Sequence, residues 1–143
     1  MPWQRCQFHL AQNALHYVPK LDQRREMASE LRGVFDSSDR READERLKKM
    51  VAKYEKGAPK LAAWLEANVP EGLTVLSFPA EHRRRLRTTN GLERLNKEIK
   101  RRTRVATLFP NEASLLRLVS AVLMEISEDW ETGKTYLTFT NQP

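Results

Sequence analysis

The segment from Thr88 to Arg102 has the pattern of an amphipathic helix, and this pattern limits the fold more than any other feature of the chain. Leu92, Leu95 and Ile99 recur at intervals of three and four residues, which is the spacing of a buried helical stripe. We therefore predict a helix from Asn90 to about Thr103. A second face of this helix carries one carboxylate among cations, at Glu93, Lys97, Lys100, Arg101 and Arg104.

Positive charge is concentrated in this part of the chain. Residues 82–104 hold ten Lys or Arg and two Glu, a net charge of +8, whereas all 143 residues together carry +6. Arginine makes bidentate contacts with phosphate oxygens, so this segment predicts a nucleic-acid partner. The alternative interpretation of the basic run is a solvated face that is paired with acidic helices. The candidate DNA-binding residues are Arg83, Arg84, Arg85, Arg87, Asn90, Arg94, Asn96, Lys97, Lys100, Arg101 and Arg102.

Composition excludes several other classes of protein. With 40% apolar and 31% charged residues the chain is globular, and no apolar run approaches the roughly 20 residues that span a bilayer. The first residues do not have the pattern of a secretion signal, and a single cysteine is typical of a reducing compartment. We therefore expect a cytoplasmic protein without a membrane partner.

The first residues predict a strand. From Trp3 to Leu10 the side chains alternate between two faces, with Cys6, Phe8 and Leu10 on the same face. No other segment offers this strand a pairing partner, and a lone strand leaves its backbone groups unpaired. The pattern therefore suggests part of a sheet whose other strands are missing.

The remaining periodicity is helical, and proline, glycine and cap residues divide it. Asp39, with Ser37 and Ser38, is a candidate cap for a helix that ends at Gly57, and Pro59 opens the next helix. Residues 73–78 predict either a helix or an irregular buried stretch. The other predicted helices run from Ala11 to before Pro19, from Leu21 to Phe35, and from after Pro110 to about Trp130. Trp64, in the helix that Pro59 opens, and Trp130 have the spacing of core residues.

Two motifs have a structural and a functional interpretation. Glu93 lies three residues after Asn90, which is the spacing of a capping box, but it also shares its face with Lys97 and Lys100, which favours a metal or catalytic role. Cys6 and His9 have the spacing of a metal pair. Zinc requires four ligands, however, and the chain has three His and one Cys, so a buried cysteine beside a hydrogen-bonded histidine is the better interpretation.

Three segments carry a resemblance to a known family: residues 3–10, the motif from Arg87 to Arg102, and residues 108–112 with the Leu-rich helix after them. They resemble the C-terminal part of Mutator-type bacterial insertion-sequence transposases. The resemblance implies a DDE catalytic triad on an RNase H-like fold, with Mg²⁺ as cofactor in the intact family. It assigns the catalytic, Mg²⁺-binding glutamate to Glu93 and the family's Cys-x-x-His motif to Cys6 and His9.

The expected fold is mainly α, the truncated remainder of an RNase H-like α/β domain. In the family both catalytic aspartates precede the Cys-x-x-His motif, so we expect a nucleoid-associated chain that binds DNA but neither binds Mg²⁺ nor cleaves DNA alone. We expect its partners to be DNA, its own copies or full-length transposase. The alternative function is that of a small basic helical protein that binds DNA or RNA or inhibits transposase. The expected parts are a last sheet strand (1–10), a helical insertion (11–79), C-terminal core helices (80–133) and a tail (134–143).

Overall fold

The computed structural model describes residues 3–105 and 109–133, and the predicted tail and Leu108 of the family motif lie outside these ranges. The chain divides into two compact units, one ending at Thr88 and the other beginning at Thr89. The helices are α1 (Gln7–Leu15), α2 (Gln23–Phe35), α3 (Arg40–Glu55), α4 (Pro59–Asn68), two 3-10 helices (Val69–Gly72 and Thr74–Ser77), α5 (Ala80–Leu86), α6 (Asn90–Val105) and α7 (Glu112–Thr132).

The described residues contain no strand, so the predicted N-terminal strand and the RNase H-like α/β remainder are wrong. Gln7, Leu10 and Ala14 are the buried residues of α1, and their spacing of three and four is helical. Over eight residues an alternating pattern and a helical pattern share many positions, which is why the sequence suggested a strand. The extended residues before α1 bond to the first 3-10 helix instead, where Arg5 N–H donates to Glu71 O at 2.9 Å.

The first unit has a single hydrophobic core under α1 to α4 and the two 3-10 helices. Its largest fully buried side chains include Leu10, Met27 and Leu31 from the first two helices and Leu61 and Leu65 from α4. Helix α3 packs between α2 and α4, so its buried residues meet both neighbours. The stretch predicted as a helix or a buried irregular segment forms the second 3-10 helix, with Leu73, Val75 and Leu76 buried.

Cap residues fix where these helices begin, as predicted. Asp39 caps α3 by accepting a hydrogen bond from Glu42 N–H at 2.8 Å, and Pro59 occupies the first turn of α4. Gly57 follows the C-cap of α3 without adopting a positive φ. Gly72 has a different role, since a Cβ there would lie 2.5 Å from Leu10 Cδ1 and 3.3 Å from Phe35 Cε1. Only glycine therefore allows this backbone to approach the core so closely.

The second unit is a pair of packed helices, α6 and α7. Helix α6 has no buried residue, and Val122 is the buried residue of α7 among the described ranges. Leu116, Met124 and Trp130 of α7 are 56%, 64% and 62% exposed, so the prediction that Trp130 belongs to a core is wrong. Trp64 does pack against the core of the first unit, with its ring stacked on Tyr17 at 5.5 Å.

Candidate nucleic-acid interface

Helix α6 presents a continuous polar face to solvent. Its apolar residues Leu92, Leu95 and Ile99 occupy one side, and the predicted phosphate-binding residues of α6 other than Arg102 occupy the other at helical spacing. From Arg94 to Arg104 this face extends about 15 Å at 1.5 Å per residue. That length equals the axial rise of roughly four phosphates along one DNA strand. The face is formed by Asn90, Glu93, Arg94, Asn96, Lys97, Lys100, Arg101 and Arg104, all of them exposed.

The cations of this face fall into two groups. Arg94, Lys97, Lys100 and Arg104 form no ion pair with any residue of the described ranges. Together with Glu93 they line an open pocket of about 850 Å³ on the polar side of α6. We name these four side chains the unpaired row. Because no described carboxylate neutralises their charges, they can bind an external anion such as a phosphate chain.

Arg101 and Arg102 belong to the second group, which is already paired. Both guanidinium groups donate to Glu98, with distances of 2.7 to 2.9 Å, and Arg102 also donates to Glu125 on α7 at 2.6 and 2.8 Å. The hydrogen bonds from Arg101 and Arg102 lower the pKa of Glu98 to about 2. In turn, the hydrogen bonds that Arg102 donates to Glu125 and Glu98 raise the pKa of Arg102. Arg102 therefore holds α6 to α7, Arg101 is paired within α6, and phosphate has to compete with carboxylates for both.

Glu93 lies at the N-terminal end of the unpaired row. Thr89 Oγ1 donates to Glu93 Oε1 at 2.7 Å, which orients the carboxylate at the start of α6. The structure begins α6 at Asn90, one residue earlier than a capping box formed by Asn90 and Glu93 requires. Lys97 follows one turn later on the same face, whereas Arg104 lies about 16.5 Å further along the helix. Glu93 is thus an exposed acid at one end of a row of cations.

The arginines before α6 lie in the first unit, and two of them have structural partners there. Arg83 donates from Nε to Phe78 O at 2.8 Å and from Nη1 to Ser38 O at 2.7 Å. Arg87 forms an ion pair with Asp36 at 3.0 Å. Arg84 and Arg85 are exposed on α5. The predicted basic run is therefore partly a set of contacts that attach α5 to the loops after α2 and after the second 3-10 helix.

Cys6 and His9 lie on the first turn of α1 and not on a strand. Cys6 is the half-buried N-cap residue, whereas His9 is exposed with its ring 5.4 Å from that of Phe8. Across the described part of the chain, no group of three or more His, Cys, Asp or Glu side chains could hold a metal ion. Cys6 and His9 therefore lie at the start of helix α1.

Sequence reasoning missed two residues of the site. Thr89 was not predicted, although a hydroxyl four residues before Glu93 is within reach of its side chain across one helical turn. Glu125 had no sequence signal, because its contact with Arg102 joins positions 23 residues apart on two different helices. No helix among the described residues is long and apolar enough to cross a membrane.

Residues 1–133 match the family model described as "Transposase, Mutator family". The chain is 55% identical over 139 residues to the transposase for insertion sequence element IS406 of Burkholderia multivorans, covering 97% of this chain and 36% of that protein. It is 39% identical over 135 residues to the transposase for ISRM5 of Rhizobium meliloti, covering 94% and 34%.

A third relative is the transposase for IS256 in transposon Tn4001 of Staphylococcus aureus, 31% identical over 140 residues, which cover 96% of this chain and 35% of that protein. The chain thus spans about a third of the length of the curated relatives that it matches. No solved structure matches the chain. The family match over residues 1–133 and these identities show that the chain belongs to the Mutator family of transposases.

Proposed function

We propose that this chain forms the DNA-binding part of a DNA transposase that moves an insertion sequence, and that Glu93 is the glutamate of its DDE triad. The unpaired row around Glu93 carries this proposal, because it combines exposed cations and one acid on a single helix face. The relatives are named as transposases for insertion sequence elements, which makes DNA the expected anion.

The unpaired row would bind the sugar-phosphate backbone. Arg94, Lys97, Lys100 and Arg104 are close enough in sequence for their side chains to follow consecutive phosphates of one strand. Such contacts position the nucleic acid without reading its sequence. Asn90 and Asn96 lie at the margins of the same face and can donate to phosphate or sugar oxygens.

Glu93 would face the same DNA strand as the row. A lone carboxylate weakens phosphate binding, so its place on the same face as four cations is unfavourable for binding alone. We infer that the acid is retained for the cleavage and strand-transfer chemistry of the whole transposase. The fit of Mg²⁺ to this chain is poor, because Glu93 shares its helix face with cations and the described residues contain no cluster of three metal-ligating side chains.

The salt dependence of DNA binding tests the row. Each phosphate contact contributes about 0.9 to the slope of log K against log salt. The double variant Lys97→Ala and Lys100→Ala should therefore flatten the slope for duplex DNA by up to about 2, equally for unrelated sequences. Fluorescence anisotropy at several salt concentrations measures the slope.

The matched control removes two exposed lysines from the first unit, Lys48→Ala and Lys60→Ala, which leave the same net charge. This control should keep the slope of the unaltered chain. Equal flattening by both double variants would show attraction by net charge alone and contradict a localised interface. A slope that the Lys97 and Lys100 changes leave intact, or a loss confined to one DNA sequence, would also overturn the assignment.

A further inference from the structure

We propose that the first unit contains a binding site for a single unstacked nucleotide. The site is a cavity of about 230 Å³ at the start of α1, and its lining includes Gln7, Phe8, Ala11, Arg32, Arg87 and Thr88. An apolar cavity of about 150 Å³ can hold benzene, so this one has room for a planar heterocycle. The inference goes beyond the proposed function, because it lies in the first unit and involves no residue of α6.

An aromatic ring is available at this cavity. Phe8 is 52% exposed, although a phenylalanine on a helix of a folded unit is normally turned towards the core. His9 contacts its ring edge-on, with an interplanar angle of 71°, which leaves Phe8 supported without being covered. Stacking of a base on such a ring contributes about 1–3 kcal/mol and is tolerant of base identity.

A buried acceptor also lines the cavity. Gln7 is only 3% exposed, and its Nε2 donates to Gly72 O at 2.8 Å. Its Oε1 is buried without a hydrogen-bond partner in the described ranges, a condition that costs about 1–3 kcal/mol. Every nucleobase carries an N–H or NH₂ donor on at least one edge, and purely anionic ligands lack one. A base that reached Gln7 Oε1 would satisfy this carbonyl, which a bare phosphate would not do.

The phosphate of the nucleotide would meet positive charge. Arg32 is exposed at the cavity, and its side chain makes no contact with a described acid. Arg87 shares its charge with Asp36, so Arg32 is the main candidate for the phosphate. Helix α1 begins here without a side-chain cap, and its positive dipole end adds to the attraction for an anion.

The test uses free mononucleotides and the 143-residue chain, so that DNA binding by α6 has no part in it. Titration with dAMP should shift the NMR resonances of the Phe8 ring and the Ala11 methyl group along a saturable curve. Deoxyribose 5-phosphate, which lacks the base, should bind at least about fivefold more weakly, because it forfeits the stacking of about 1–3 kcal/mol. A parallel titration with AMP distinguishes a ribonucleotide site from a deoxyribonucleotide site.

Variants locate the site. Phe8→Leu should weaken dAMP about tenfold while Phe8→Tyr, which keeps the ring, binds normally. The control Trp3→Leu, which removes a 70% exposed aromatic outside this cavity, should change affinity less than twofold. Arg32→Gln should weaken both ligands, and Arg25→Gln on the same helix should weaken neither. Equal affinity for dAMP and deoxyribose 5-phosphate, or an equal loss of dAMP affinity in the Phe8→Leu and Trp3→Leu variants, would overturn the proposal. The proposed DNA binding by α6 would be unaffected by that result.

Discussion

Arg102 on α6 and Glu125 on α7 form a two-pronged ion pair, with Nη1–Oε2 at 2.6 Å and Nη2–Oε1 at 2.8 Å. The planar guanidinium matches the carboxylate in this geometry, which adds direction as well as attraction. Arg102 Nε simultaneously donates to Glu98 at 2.8 Å. One side chain thus fixes the register of a helix pair whose buried apolar residue, within the described ranges, is Val122 alone.

Removal of this arginine should affect folding more than DNA binding. Arg102→Gln breaks the contacts with both carboxylates, so the second unit should melt at a lower temperature. The slope of log K against log salt should stay the same, because a guanidinium already paired with protein carboxylates releases no counterion from DNA. Circular dichroism melts and anisotropy titrations measure the two quantities.

Arg104→Gln is the matched control on the same helix. Arg104 belongs to the unpaired row, so this variant should flatten the slope by about 0.9 and leave the melting temperature unchanged. If Arg102→Gln flattens the slope and Arg104→Gln does not, phosphate displaces Glu98 and Glu125 from Arg102.

Stability of the second unit should depend on pH through Glu98. Hydrogen bonds from Arg101 and Arg102 lower the pKa of this carboxyl from 4.5 to about 2 in the folded chain. A lowered folded pKa gives a contribution that is fully present above the unfolded value and is lost as the pH falls from about 4.5 through 2. The pKa of Glu125 is lowered by Arg102 as well, so it acts in the same direction.

The Glu98 carboxyl carbon resonance should therefore titrate well below that of an unpaired glutamate. Glu98→Gln should make the helix pair less sensitive to acid over that interval, while it also lowers stability at neutral pH. A Glu98 resonance that titrates near 4.5 would show that the ion pairs with Arg101 and Arg102 are not maintained in solution.

Glu93→Gln separates the catalytic from the structural interpretation. The amide oxygen can still accept the Thr89 hydroxyl, so the melting temperature should not change. DNA binding should become tighter, because a negative charge is removed from the N-terminal end of the unpaired row. In a transposase of the full length of the relatives that carries this segment, the same change should abolish strand cleavage.

Glu112→Gln, at the first turn of α7, is the control and should retain cleavage. Cleavage that survives Glu93→Gln would assign the catalytic acid elsewhere, and Glu98 would be the next residue to replace. A loss of fold in the Glu93→Gln chain would instead show that the negative charge in the first turn of α6 is mainly structural.

Gly72 should be the most sensitive glycine of the first unit. A methyl group there would lie 2.5 Å from Leu10 Cδ1, and Leu10 is fully buried. We expect Gly72→Ala to lower the free energy of unfolding by about 1–3 kcal/mol through overpacking. Chemical denaturation of the variant measures the change.

Gly57→Ala is the corresponding control, since a Cβ at this position has no neighbour within 4 Å and the backbone φ is not positive. It should be neutral or stabilising by up to about 1 kcal/mol. Equal destabilisation at both positions would indicate a backbone effect and not the contact with Leu10.

Much of the helical organisation was predictable, because caps and proline act locally. Asp39 and Pro59 determine the starts of α3 and α4 through contacts within a few residues, and the apolar spacing of α6 identified its polar face. The wrong strand at residues 3–10 came from a window too short to separate two periodicities. Trp130 was misassigned because periodicity shows which residues share a face and not whether another element covers that face.

The candidate site shows the same limit. The sequence predicted a cationic helix with Glu93 on it, but it treated Arg94, Arg101 and Arg102 alike. Their difference depends on where Glu98 and Glu125 lie in space. Charge in a sequence can be counted, whereas its neutralisation depends on tertiary contacts.

The backbone bond from Gln7 N–H to Arg87 O, at 2.9 Å, has a further consequence for how this region can evolve. It places the entry and the exit of an 81-residue helical module side by side. A module whose ends are adjacent can be inserted into a loop of another protein, or removed from it, without separating the flanking residues of the host. The same geometry allows circular permutation, with new termini in an exposed turn such as residues 19–22 and a short linker joining Arg87 to Gln7.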